Sequence, residues 1–203
     1  MNLYFVISGC SFLLILFGVF ENLLKFYNIN RWLACGVMFI SCVFSVISNL
    51  KIVEVILSLN FVLYAVIFAI YFLKIKNIKD YFKMFFCSLI VVAVLMCYSA
   101  FDFADFEYSF VGIYVYVAIV LGFVFSFISP NVKTTFCGAL LGSVVFDVVY
   151  WKFFNGFDGE LFTLVPTSTL TFILVSICSY CVFCRLVWLA KGYRNKKKQE
   201  TTN

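Results

Sequence analysis

The chain has 203 residues, of which 65% are hydrophobic and only 12% charged, with a mean hydropathy of +1.07. Globular domains carry about twice that share of charge, so an ordinary soluble fold is excluded and lipid is the solvent the chain needs. The net charge of +5 sits in short polar segments between apolar runs, which makes it a topology signal and not a nucleic-acid footprint.

The apolar runs are continuous. Barrel strands alternate apolar and polar residues about ten at a time, so the expected fold class is all-α: a polytopic helical integral membrane protein with six to seven transmembrane helices. The first span covers Leu3 to Phe20. It lacks a basic n-region and a small-residue cleavage site, so it reads as a retained helix. Glu21, Lys25 and Arg31 form a short polar linker. The second span covers Trp32 to Ser48, and the third Ile52 to Leu73, carrying Glu54 and Asn60. The densest internal basic cluster follows, KIKNIKDYFK from Lys74 to Lys83.

The fourth span runs from Met84 to Ala100. The loop FDFADFEYSF after it reads as an aromatic belt kept wet by its acids. The fifth span covers Phe110 to Ser129, the sixth Phe136 to Phe154 and the seventh Ser168 to Ala190. If spans two and three merge, the count drops to six. Residues 1–190 are expected to form one bundle, and 191–203 a disordered basic tail.

Charge sets the expected orientation. With the N-terminus outside, Lys25, Arg31, Lys74, Lys76, Lys79, Lys83, Lys133, Lys191, Arg194, Lys196, Lys197 and Lys198 fall inside, and only Lys51 and Lys152 outside. The positive-inside rule then places the N-terminus outside and the C-terminus in the cytoplasm, with the cell membrane as the location.

Asp147 stands out within the sixth span. An acid at mid-bilayer costs about 2.5–3.5 kcal/mol on insertion scales, so it is expected to face a partner or water. Ala139, Ser143, Asp147 and Trp151 repeat every fourth residue and share a face. Gly138 and Gly142 form a small-residue step beside it, suited to close helix packing together with Ser143, and Tyr150 lies one turn above. Asp147, Tyr150, Asn60 and Glu54 form the candidate substrate- or ion-binding set. The competing reading is a structural hydrogen bond from Asp147 to Ser143 or Asn60, with Glu54 at the interface.

All nine cysteines lie in apolar spans and read as small hydrophobes. Cys178, Cys181 and Cys184 have the spacing of part of an iron–sulfur ligand run, but a helix spreads them in steps of about 100°. No metal or cofactor is expected. The absence of histidine removes Ser–His and Cys–His pairs, zinc proteases and histidine relays, so no enzyme activity is expected. The expected function is a small-solute or ion transport component; the alternative is a non-catalytic membrane subunit or scaffold acting through helix–helix contacts. Expected partners are the lipid bilayer, anionic lipid at the basic tail, and a membrane-protein partner or second copy, with no nucleic acid.

Overall fold

Gly18 ends the first helix. In the computed structural model, which describes residues 3–46, 50–52, 55–102, 110–129, 131–150, 152, 162–164 and 167–200, the helix α1 (Leu3–Leu16) stops in a left-handed turn. Gly18 has φ +80°, its N–H donates to the Ile15 carbonyl, and the Val19 N–H donates to the Leu14 carbonyl. This paired pattern closes a helix C-terminus, and it stops the first span short of the expected Phe20. The same device recurs after α2 (Glu21–Phe26), where Asn28 takes φ +52° and the Ile29 N–H reaches the Leu24 carbonyl at 2.9 Å. Asn30 then caps α3 (Arg31–Val46), its Oδ1 accepting the Trp32 N–H at 3.0 Å. The segment expected as a plain linker is thus a helical turn between two tight reversals, and it sets α3 antiparallel to α1. Arg31 seals the junction: Nε donates to the Ile15 carbonyl at 3.2 Å, and Nη2 to the Leu16 carbonyl.

The third expected span is not one helix. Its first part belongs to strands β1 (Leu50–Ile52) and β2 (Val55–Leu57), which pair antiparallel, and β2 also pairs in parallel with β3 (Phe162–Leu164). Helix α4 (Leu59–Phe72) starts only after Ser58, whose backbone is extended and whose Oγ accepts the Phe61 N–H at 3.2 Å. The β-branched Ile52, Val55 and Ile56 favour strand over helix, and Ser58 is a strong N-cap. The all-α expectation holds for the bulk of the chain, with eight helices among the described residues, to which this small sheet of order β1-β2-β3 is added.

The remaining helices are α5 (Ile78–Asp102), α6 (Phe110–Ile128), α7 (Val132–Tyr150) and α8 (Thr167–Glu200). The helical backbone of α8 continues through the basic segment expected to be disordered. Short turns make the bundle run up and down. Gly138 lies against Met84 and Cys87, and Gly142 against Ser88 and Val91, so α5 and α7 run parallel and α4 runs antiparallel to both. The sheet, the starts of α4 and α8 and the ends of α5 and α7 share one end of the bundle. At the other end α2 docks on α8: the Tyr27 hydroxyl donates to the Cys181 carbonyl at 3.1 Å, and the Arg185 guanidinium sits 5.0 Å from the Phe26 ring and 4.6 Å from that of Trp188.

The outside of the bundle is apolar, and polar residues join the apolar core inside. Ser41, Asn60, Thr134, Thr135, Ser143, Asp147 and Ser176 are buried, whereas Phe17, Trp32, Leu73, Ile78, Phe82 and Phe127 are exposed. Three helical stretches, Ile78–Ser99, Val132–Tyr150 and Thr169–Leu189, are long and apolar enough to cross a membrane; Tyr4–Leu16, Arg31–Val46, Leu59–Phe72 and Val115–Ile128 are shorter apolar helices.

Candidate functional site

Helix α7 is buried along most of its length: every residue from Thr134 to Leu140 is enclosed, as are Gly142, Ser143, Phe146 and Asp147. Contacts fix two of its faces. On one, the Phe136 ring lies between Tyr64 and Tyr71 of α4, with centroids 6.1 and 5.7 Å away, and Cys137 Sγ approaches the Phe68 carbonyl at 3.9 Å. On the other, Gly138 and Gly142 press on α5. A Cβ on Gly138 would lie 2.7 Å from Cys87 Cβ and from the Met84 carbonyl oxygen, and one on Gly142 only 2.6 Å from the Ser88 carbonyl oxygen. Neither site has room for a side chain.

Asp147 follows Phe136 by eleven residues, three turns and about 20°, so it belongs to the α4 side. It stands five residues past Gly142, about 140° around the helix. The glycine step and the acid, expected side by side, therefore serve different neighbours. The glycines admit α5, and the acid lies on the arc that faces α4.

Antiparallel packing brings Asn60 to the acid's level. Asn60 lies eight residues before the Phe68–Cys137 contact and Asp147 ten residues beyond it, about 12 and 15 Å along their axes. Asn60 shares the stripe of Tyr64, Phe68 and Tyr71. It is 1% exposed, and its Oδ1 accepts no hydrogen bond among the described residues. An enclosed acceptor left in that state costs about 1–3 kcal/mol. Asp147 is 7% exposed. Tyr150 is half-buried one turn further on, its ring 5.4 Å from that of Phe146.

Ser143 has a different role from the one expected. Its hydroxyl donates to the Ala139 carbonyl at 2.9 Å, so its proton is spent inside its own helix and is not offered to Asp147. Glu54 and Trp151 lie outside the described residues.

A second polar cluster was not anticipated. The Tyr4 hydroxyl pairs with Ser41 Oγ and with the Tyr64 hydroxyl at 2.8 Å, joining α1, α3 and α4 in the interior. Tyr64 stands one turn beyond Asn60 and against Phe136, so this cluster supports the α4 face that packs on α7. The one sequence signal for it is the stripe of Asn60 and Tyr64, four residues apart. Its other members are remote in sequence.

Among the described residues no group of three His, Cys, Asp or Glu side chains is placed to hold a metal ion. Cys178 is exposed, Cys181 buried and Cys184 half-buried, and all nine cysteines are free thiols. No family model matches the chain, and no curated protein or solved structure matches it either. The site is therefore read from its own residues.

Proposed function

We propose that this chain is a multi-pass protein of the cell membrane, with six to seven spans, its N-terminus outside and its C-terminus in the cytoplasm. In this reading it is a small-solute or ion transport component whose polar centre is Asp147, with Asn60 facing it from α4, Tyr150 above it and Glu54 added on sequence grounds. Apolar side chains outside and polar ones inside support a lipid solvent. The distribution of lysine and arginine supports the orientation.

The observation that carries the transport reading is the Asn60 oxygen, which has no donor among the described residues and lies at the level of a buried acid. It also stands two residues after a strand-to-helix break. Non-helical backbone at membrane depth persists where it is enclosed by protein or lines a water-filled cavity, and transporters place such breaks at their binding sites. The alternative, assembly through the Gly138 and Gly142 face, has that face already filled by α5 of the same chain.

The test is a thermal-shift screen of ions, small solutes and pH on the purified chain in detergent, with Asp147→Asn and Asn60→Ala alongside. A ligand of the folded state raises the melting temperature by mass action. Variants that fold but lose the response support the reading. Identical melting of all three proteins in every condition sinks it.

A further inference from the structure

The turn between α4 and α5 places lysines on the rim of an apolar face. Leu73 in that turn is 81% exposed, and Lys74, Lys76 and Asn77 beside it are exposed as well. Along α5 the exposed residues Ile78, Phe82, Phe85, Phe86 and Leu89 form a single stripe at helical spacing. This face begins at Ile78, so hydrocarbon contact begins there too. Lys79 is the next residue, about 1.5 Å along the axis, and Lys74 and Lys76 precede it.

Of the other basic groups at this end, Lys133 is exposed at the start of α7, and the rest are engaged or remote. Arg31 holds the α1 carbonyls, Lys25 pairs with Glu21 at 2.7 Å, and Arg185 lies between two rings. Lys83 has Asp80 at 3.9 Å. Lys74, Lys76 and Lys79 have no ion-pair partner among the described residues. Lys196, Lys197 and Lys198 of the tail, where anionic lipid was expected, are carried away by the continuous helix: Lys196 stands seven residues past the exposed Leu189, about 10 Å along α8. That exceeds the Debye length of about 8 Å at physiological salt.

We propose that the turn carrying Lys74, Lys76 and Lys79 is a docking surface for the headgroups of anionic phospholipids. The ammonium groups meet headgroup phosphates as point charges, while their aliphatic stems lie along the apolar rim. The proposal rests on the membrane reading of the chain and is independent of what Asp147 binds.

The experiment uses the full chain in a neutral detergent, with lipid retention read by native mass spectrometry and stability by melting. The probes are phosphatidylglycerol, phosphatidylcholine and inorganic phosphate. Phosphatidylglycerol is expected to be retained and to stabilise, with an effect that weakens as salt rises. The triple variant Lys74→Gln, Lys76→Gln, Lys79→Gln loses about fivefold in phosphatidylglycerol affinity per lysine, about a hundredfold in all. The tail variant Lys196→Gln, Lys197→Gln, Lys198→Gln and the site variant Asp147→Asn keep the preference. A turn variant that keeps it, a tail variant that loses it, or an equal response to inorganic phosphate overturns the proposal. A chain that stays dispersed without detergent or lipid overturns the membrane reading and this inference with it.

Discussion

At the scale of single residues, the interior is held by a few polar contacts whose removal has a measurable cost. Tyr4→Phe deletes hydroxyl bonds to Ser41 and Tyr64, and Tyr64→Phe deletes its bond to Tyr4. Each variant is expected to destabilise by about 1–3 kcal/mol, since each leaves buried hydroxyl partners unpaired, measured by melting in detergent. The glycines give a sharper contrast. Gly142→Ala drives a methyl into the Ser88 carbonyl and Val91 and is expected to cost about 1–3 kcal/mol as overpacking. Gly36→Ala meets nothing within 4 Å, so its gain in helix propensity leaves it neutral or stabilising. Equal melting of the two variants would show that the α5–α7 approach is looser than described. Asp147 and Asn60 were legible in the sequence because a charge or an amide in an apolar run is costly wherever it points. The hydroxyl cluster was not, because Tyr4, Ser41 and Tyr64 barely lower local hydropathy and meet only after the chain has folded. The placement of the glycines away from the acid needed the identity of two neighbours, which a helical spacing alone does not supply.

At the scale of elements, helices were legible from hydropathy and their ends were not. The first span stops at a left-handed glycine, and the third is interrupted by a hairpin completed by a strand from Phe162–Leu164. A hydropathy reading cannot distinguish a β-branched strand from a helix of equal polarity. Ser58 was the one local sign of the true start of α4, and Ser58→Ala is expected to cost about 1 kcal/mol, read as faster amide exchange over the first turn of that helix. The α1–α3 junction adds a pH dependence. The hydrogen bond from Lys25, aided by the Lys25 and Arg31 charges, holds the Glu21 carboxyl below the ordinary carboxylate value. Its contribution is therefore present above that ordinary value and is lost as pH falls through the lower, folded one. The pair is exposed, so the effect is small and fades with salt. Protection of the α2 amides, exchange relative to its intrinsic rate at each pH, should fall on acidification in the wild type and be flat over the same range in Glu21→Gln. An unchanged acid response in the variant assigns that response elsewhere.

At the scale of the whole molecule, the two ends of the bundle differ in charge, and that difference predicts which end faces which compartment. Lys152, just past the end of α7, is exposed, and so is Lys76 in the opposite turn. The native cysteines have the right placement for a labelling test: all nine are helical, and the exposed Cys10, Cys97 and Cys178 lie within apolar stretches, where lipid withholds the water that a charged maleimide needs. A cysteine at either lysine should therefore dominate the signal. In intact cells, Lys152→Cys is expected to react with a membrane-impermeant maleimide, and Lys76→Cys only after permeabilisation. The lysines of the α4–α5 turn would then lie in the cytoplasm, against the leaflet that carries anionic lipid, and the Asn60–Asp147 level would lie toward the outside. The reverse pattern inverts the bundle and places the acid toward the cytoplasm. Labelling of both sites in intact cells puts the two lysines on one side, which means that α6, the short apolar helix among the three between them, fails to cross. The span to map next would then be α6, since the crossings of α1, α3 and α4 move both lysines together and leave their relative side unchanged.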